Sequence, residues 1–80
     1  METIELLKKS KEDFVWFGEN YKSLQASYVG KYVAIKNKRV IESDFDYFNL
    51  LEKLREMSVN TAQVLIKKIL SAKEILVYHA

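Results

Sequence analysis

The spacing of apolar residues in the first third of the chain predicts an amphipathic helix. Five of them recur at intervals of three, four, three and four residues, and at about 100° per residue such positions share one helix face. Ser10 and Asp13 resemble a capping box at the start of this helix. Gly30 can adopt the left-handed backbone conformation that commonly follows the last residue of a helix. Residues 1–9 are expected to form a short separate helical segment that packs loosely. The five apolar positions are Phe14, Phe17, Tyr21, Leu24 and Tyr28.

The next stretch predicts a β-hairpin. Two runs rich in β-branched and aromatic residues are separated by Asn37 and Lys38, and a two-residue turn at this point pairs Ala34 with Ile41. Asn37 tolerates a positive φ, but Lys38 occupies a position where type I′ turns prefer glycine. A type I turn with a bulge is therefore an alternative. The two runs are residues 31–36 and 39–43.

A second main helix is predicted near residues 44–57. Ser43 or Asp44 can cap its N-terminus, and Asp46 is placed favourably near the positive end of the helix dipole. The apolar positions again follow helical spacing and predict a buried face. They are Tyr47, Leu50, Leu51, Leu54 and Met57.

The last twenty residues allow two interpretations. The β-branched residues of 64–66 favour a strand, whereas helical spacing, with Asn60 and Gln63 as a cap, favours a helix over residues 61–73. Residues 75–78 form a further predicted strand. No proline or glycine punctuates this region, so periodicity alone leaves the choice between strand and helix open.

Taken together, these elements predict one α+β domain over residues 1–80, in the order α-β-β-α-β-β. An antiparallel sheet is expected, with the helices packed mainly on one face. The core is expected to comprise Phe14, Phe17, Tyr21, Leu24, Val33, Ile35, Val40, Leu50, Leu51, Leu54, Leu65 and Ile66.

The segment Gly-Lys-Tyr-Val-Ala-Ile at residues 30–35 follows an aromatic-rich helix and precedes a Val-Ile strand and a second helix. This pattern resembles a family of very short prokaryotic domains of unknown function, found mainly in archaea. The resemblance covers about residues 14–70 and implies a helix, a hairpin, a helix and then a strand, which favours a strand at 64–69. It implies no activity. The chain departs from the family at the turn, where Asn37-Lys38 replaces the typical Asn-Gly or Asp-Gly.

Composition narrows the function classes. The 80 residues have a net charge of +2 and no cysteine, which excludes disulfides, thiol catalysis and cysteine-based metal sites. The lack of cysteine favours a reducing, cytoplasmic compartment. No apolar run approaches the roughly 20 residues that span a bilayer, so no membrane association is expected.

The sequence also lacks the residue sets of common active sites. Its single histidine, His79, is next to last, and its two glycines, Gly18 and Gly30, cannot build a phosphate-binding loop. The carboxylates Glu42, Asp44 and Asp46 alternate along the chain as cation ligands often do, but the glycine and glutamate of a calcium loop do not accompany them. We therefore expect no enzyme, no cofactor, no metal site and no small-molecule substrate.

Trp16 is the first candidate for a partner surface. It projects away from the apolar face of the first helix, and tryptophan is enriched in interface hot spots. The alternative is that residues 4–7 cover it. An off-face tryptophan and the lack of a catalytic set favour a protein-interaction or homo-oligomerisation module, with another protein or a second copy as the partner.

The basic residues of the hairpin support an alternative function. Lys31, Lys36, Lys38 and Arg39 could neutralise phosphates while nearby tyrosines stack on bases, as in surfaces that bind single-stranded nucleic acid. Lysines on hairpin edges also protect proteins from edge-to-edge aggregation. Nucleic-acid binding is therefore the second hypothesis, after protein interaction.

Overall fold

A computed structural model describes the backbone of residues 2–73 and the side chains of residues 8–73. Helices and antiparallel strands alternate along this part of the chain, which confirms the predicted α+β class. The predicted strand at 75–78 lies outside the described residues. The elements are α1 (Glu2–Glu19), α2 (Tyr21–Tyr28), β1 (Tyr32–Ile35), β2 (Val40–Asp44), α3 (Tyr47–Glu56), a short 3-10 helix (Thr61–Gln63) and β3 (Leu65–Lys68).

Helix α1 is longer than the sequence pattern indicated. It begins at Glu2 and continues to Glu19, so Ser10 lies within the helix and does not cap it. Residues 2–9 belong to the same helix and do not form a separate segment. The physical reason is that this stretch contains no proline or glycine and consists mostly of good helix formers.

The helical stretch is interrupted at Asn20, and α2 ends at Tyr28, two residues before Gly30. The side-chain amide of Asn20 donates a hydrogen bond of 2.9 Å to the carbonyl oxygen of Trp16, and its φ of −108° separates α1 from α2. Gly30 has a φ of +82°, which confirms the predicted left-handed end of the helix.

Within residues 2–73, the sheet has three strands in the order β2-β1-β3, and β2 and β3 are both antiparallel to β1. Strand β3 confirms the strand expected within 64–69. The residue expected to cap a helix there, Asn60, instead caps the short 3-10 helix, because its side-chain oxygen accepts a hydrogen bond from the Ala62 amide at 3.0 Å. Since β2 and β3 run in the same direction, α3 connects them by crossing over β1.

Helices cover both faces of the sheet, which corrects the prediction that they pack mainly on one face. Val33 and Ile35 pack against α1 and α2, whereas Ala34, between them in β1, packs against α3. Successive residues of a strand point to opposite faces, and the hairpin carries apolar residues on both. The α1-side cluster comprises Phe17, Leu24, Val33, Ile35 and Ile69, and the α3-side cluster comprises Ala34, Leu50 and Leu54.

Three residues predicted to be buried are exposed. Phe14 is 56% exposed, and the Lys67 ammonium group lies 5.7 Å from the centre of its ring. Tyr47, in the first turn of α3, and Met57, just after its last turn, are also exposed. Conversely, Ile69 is fully buried although it was absent from the predicted core.

The hairpin turn is type I′, since Asn37 and Lys38 have φ values of 54° and 58°. The predicted pairing of Ala34 with Ile41 is wrong, because a β-bulge shifts the register and Glu42 lies opposite Ala34. Two residues of β2 therefore face one residue of β1. Ile41 still packs in the α3-side cluster.

The N-cap of α3 is Asp46, and neither Ser43 nor Asp44 has that role. The Asp46 carboxylate accepts a hydrogen bond of 3.0 Å from the backbone amide of Asn49. Strand β2 extends through Asp44, which pairs with Tyr32, so the helix can begin only after the strand has ended.

Candidate interaction surfaces

The sheet has two chemically different ends, and the four predicted nucleic-acid residues do not lie together. Lys31 precedes β1 at one end, whereas Lys36, Lys38 and Arg39 belong to the turn at the other. At about 3.3 Å per residue, Lys31 and Lys36 are separated by about 16 Å along the strand. The predicted basic surface is therefore divided between two separate places.

Exposed aromatic rings occupy the end of the sheet where β1 begins. Phe45 is 67% exposed and Phe48 is 73% exposed. The ring of Tyr47 lies 5.5 Å from that of Tyr32 and 5.6 Å from that of Phe48, edge to face in both pairs. We call these four residues, Tyr32, Phe45, Tyr47 and Phe48, the aromatic surface.

Lysines border the aromatic surface. The ammonium nitrogen of Lys31 lies 5.1 Å from the centre of the Phe45 ring, and that of Lys68 lies 5.8 Å from the centre of the Tyr32 ring. The Phe45 ring also lies over Gly30, where an added Cβ would be 3.6 Å from it. Cations at these distances are attracted to the ring face, so the surface combines apolar rings with a positive edge.

An ion pair fixes α3 to the end of β2 beside the aromatic surface. The Lys53 ammonium lies 2.9 Å from the Asp44 carboxylate and donates a hydrogen bond of 3.2 Å to the Ser43 carbonyl oxygen. The pKa of Asp44 is lowered, first because the Asp46 amide donates to its carboxylate and then because of Lys53. The pKa of Lys53 is raised by its hydrogen bond to Asp44.

At the opposite end of the sheet, a buried carboxylate holds the hairpin turn against α1. Asp13 is only 5% exposed, and its Oδ1 accepts a hydrogen bond of 2.8 Å from the backbone amide of Lys38. The two residues are 25 positions apart in the sequence. This contact places a turn rich in basic residues next to the lysines of α1.

A groove of about 430 Å³ lies between α1 and the turn. A smaller recess of about 220 Å³ lies beside it and includes Lys9 and Asn37. We call residues 8–19 of α1 together with residues 36–39 of the turn the basic end. The groove is lined by Lys8, Lys11, Glu12, Val15, Trp16 and Glu19 of α1 and by Lys38 of the turn.

Trp16 has two environments. It is half-buried and packs against the α1-side cluster, yet it also lines the groove. Residues 4–7 do not fold back over it, because they lie on the same continuous helix. Leu7, nine residues earlier, is about 14 Å away along the helix axis. The interpretation that an N-terminal segment covers Trp16 is therefore wrong.

Among the described residues, no three histidine, cysteine, aspartate or glutamate side chains converge as metal ligands. Within the same residues, no helix has the length and apolar character needed to cross a membrane.

Comparison with known proteins assigns the chain to a family. The model of a family of unknown function (DUF5678) matches residues 23–69, while no curated protein and no solved structure matches significantly. The match covers 47 of the 80 residues. It includes the whole sheet, α3 and the aromatic surface, and it leaves out α1 with Asp13 and Trp16. The chain belongs to this family of unknown function.

Proposed function

We propose that the domain is a non-catalytic protein-interaction module and that it binds its partner through the aromatic surface. The observation that carries this proposal is the exposure of two phenylalanines at the same end of the sheet, Phe45 and Phe48, at 67% and 73%. Large exposed apolar patches commonly mark interaction sites, and aromatic residues are enriched in interface centres. The absence of cysteine and the presence of a single histidine in the chain also favour a non-catalytic role.

The size of the aromatic surface suits the centre of an interface. A fully buried aromatic side chain removes about 150–250 Å² from water, so each exposed phenylalanine offers on the order of 100–150 Å². A specific interface buries about 800 Å² on each partner. The rings would therefore supply the apolar centre, and the lysines at its edge, Lys31 and Lys68, would form part of the polar rim.

The partner is either a second copy of the chain or another protein, and two measurements separate these. Sedimentation equilibrium of the purified protein tests self-association. Affinity capture from cells of the native host tests binding to another protein. Both are repeated with Phe45→Ser/Phe48→Ser, which removes the two most exposed rings.

The matched control is Phe14→Ser, because Phe14 is also an exposed phenylalanine, at 56%, but belongs to α1 and not to the aromatic surface. The proposal requires that the double variant lose self-association or a captured protein while the control retains it. It is wrong if wild type, double variant and control behave alike in both measurements.

A further inference from the structure

The basic end has a larger net positive charge than the whole chain, +3 against +2. The chain has 13 lysines and arginines and 11 acidic residues, for a net charge of +2. The basic end contains six of the lysines and arginines and three of the acidic residues. The rest of the chain contains seven lysines and arginines and eight acidic residues. A patch of one sign on a nearly neutral protein attracts ligands of the opposite sign. The six cations are Lys8, Lys9, Lys11, Lys36, Lys38 and Arg39.

This charge surrounds an aromatic ring. Trp16 lines the same groove as Lys8, Lys11 and Lys38. At about 100° per residue, Lys8 lies between Lys11 and Trp16 around the helix, about 60° from the first and about 80° from the second, and all three line the groove. Lys38 reaches the groove from the hairpin, because its backbone amide is held by Asp13. An aromatic ring bordered by cations on two separate elements is therefore built into the fold.

We propose that this groove binds single-stranded nucleic acid, with a base stacked on Trp16 and phosphates contacted by Lys8, Lys11 and Lys38. Proteins that bind single strands combine a positively charged groove with aromatic side chains on which bases stack. The stacking requires an unpaired base, because the bases of a duplex are already stacked on one another. The groove volume lies in the ~300–1,000 Å³ range of small-ligand sites, which suits a nucleotide unit and not a double helix.

The acidic residues of the basic end limit the affinity without cancelling the charge. Glu12 and Glu19 also line the groove, so three lysines face two carboxylates there. Asp13 is buried and its carboxylate is turned to the Lys38 amide. The net charge of the groove is therefore small, and binding is expected to be weak at physiological salt and strongly salt-dependent.

The chain provides its own probe for this site, because Trp16 is its single tryptophan. Titration of the full chain with an oligothymidylate of about 12 nucleotides should quench the Trp16 fluorescence. The binding constant should fall steeply between about 50 and 200 mM salt. Absence of quenching and of binding at low salt would overturn the proposal.

Variants separate the roles of the ring and the charges, with the anisotropy of a labelled oligothymidylate as the readout. Lys8→Gln/Lys11→Gln alters two exposed side chains and should weaken binding. It should also make the plot of the logarithm of the binding constant against the logarithm of the salt concentration less steep, by about 0.7 for each phosphate that the variant no longer neutralises. Trp16→Leu keeps an apolar side chain against the core and should weaken binding about 5- to 100-fold. Circular dichroism of each variant checks that the fold is intact.

Three controls test the assignment to this site and this ligand. Phe45→Ser/Phe48→Ser should bind the oligonucleotide like the wild type, and equal loss of binding in this variant would overturn the placement of the site. A duplex of the same length and polyglutamate should bind more weakly than the single strand. Equal binding of either one would overturn the assignment to single-stranded nucleic acid.

Discussion

The two ends of the sheet present different chemistry and are held in place differently. In the aromatic surface, the Tyr47 ring contacts Tyr32 and Phe48, and the Phe45 ring lies beside the Lys31 ammonium. Helix α3 is fixed beside these rings by its cap at Asp46 and by the ion pair of Asp44 and Lys53. In the basic end, a long-range hydrogen bond from the Lys38 amide to Asp13 holds the hairpin turn against α1. The strands β1, β2 and β3 thus support two separate surfaces.

The difference also shows that lysine has two roles in this molecule. Lys31 and Lys68 lie over aromatic rings and border an apolar surface. Lys8 and Lys38 line a groove with Trp16. Their sequence context alone does not distinguish these roles. The position of each lysine relative to the sheet decides whether it belongs to the rim of an apolar patch or to a charged groove.

The largest expected effect separates residues that hold the fold from residues that form the aromatic surface. Leu54→Ala, at a fully buried position of α3, should reduce the free energy of unfolding by about 2–5 kcal/mol because it leaves a cavity. Phe48→Ala, on the same helix but 73% exposed, should change it by less than about 0.5 kcal/mol. Urea denaturation measures both, and a comparable loss in the two variants would show that the aromatic surface is part of the core.

The next effect concerns the hydrogen bond that holds the basic end. Asp13→Ala leaves the Lys38 amide without its buried acceptor and should reduce the free energy of unfolding by about 1–3 kcal/mol. Asp13→Asn retains a carbonyl oxygen at the same place and should cost less than the alanine variant. Denaturation of the two variants side by side tests this, and equal losses would indicate that the hydrogen bond contributes nothing specific.

A smaller effect tests the strain in the hairpin turn. Lys38 has a φ of 58°, which costs a residue with a side chain about 1–2 kcal/mol. Lys38→Gly should therefore increase the free energy of unfolding by about 0.5–1 kcal/mol, after the added freedom of glycine in the unfolded chain is subtracted. Asn37→Gly should gain less, because asparagine tolerates this conformation. A loss of stability in Lys38→Gly would contradict this account of the turn.

The smallest effect is the pH dependence at the aromatic end. The pKa of Asp44 is lowered in the folded state from an ordinary 3.8, so its contribution to stability is present above that value and is lost as the pH falls through the folded pKa. The raised pKa of Lys53 acts in the opposite direction, and its contribution is lost as the pH rises above about 10.5. In the Asp44→Asn variant, the melting temperature should therefore depend less on pH than in the wild type, at both acidic and alkaline pH.

The control for the pH prediction is Glu52→Gln, which alters an exposed carboxylate on the same helix as Lys53. Its profile should follow that of the wild type. If the melting temperature of Asp44→Asn falls at acidic pH as it does in the wild type, the ion pair does not contribute to the pH dependence of stability.

The elements that the sequence predicted correctly depend on local signals. The hairpin follows from β-branched runs on either side of Asn37, and the end of α2 follows from Gly30. The exposure of Phe14 could not be predicted, because helical periodicity indicates which face is apolar but not how much of that face the sheet covers. Both faces of β1 carry apolar residues, and this was the signal that helices cover both sides.

The aromatic surface and the basic end were harder to predict from the sequence than these elements. Phe45 and Phe48 lie outside the apolar face predicted for α3, and two neighbouring phenylalanines off that face are the sequence signal for the aromatic surface. The hydrogen bond between Asp13 and Lys38 joins residues 25 positions apart, and no local pattern indicates it. For this reason the sequence does not connect Trp16 with the hairpin lysines, although the fold brings Trp16 and Lys38 to one groove.

The most direct test of two separate surfaces is a residue-by-residue map of oligonucleotide binding. The backbone amides of the full chain are followed by two-dimensional NMR during titration with an oligothymidylate at low salt. We expect chemical-shift changes in residues 8–19 and 36–39 and none in residues 45–48. Changes centred on residues 45–48, or an absence of changes in both regions, would contradict the account.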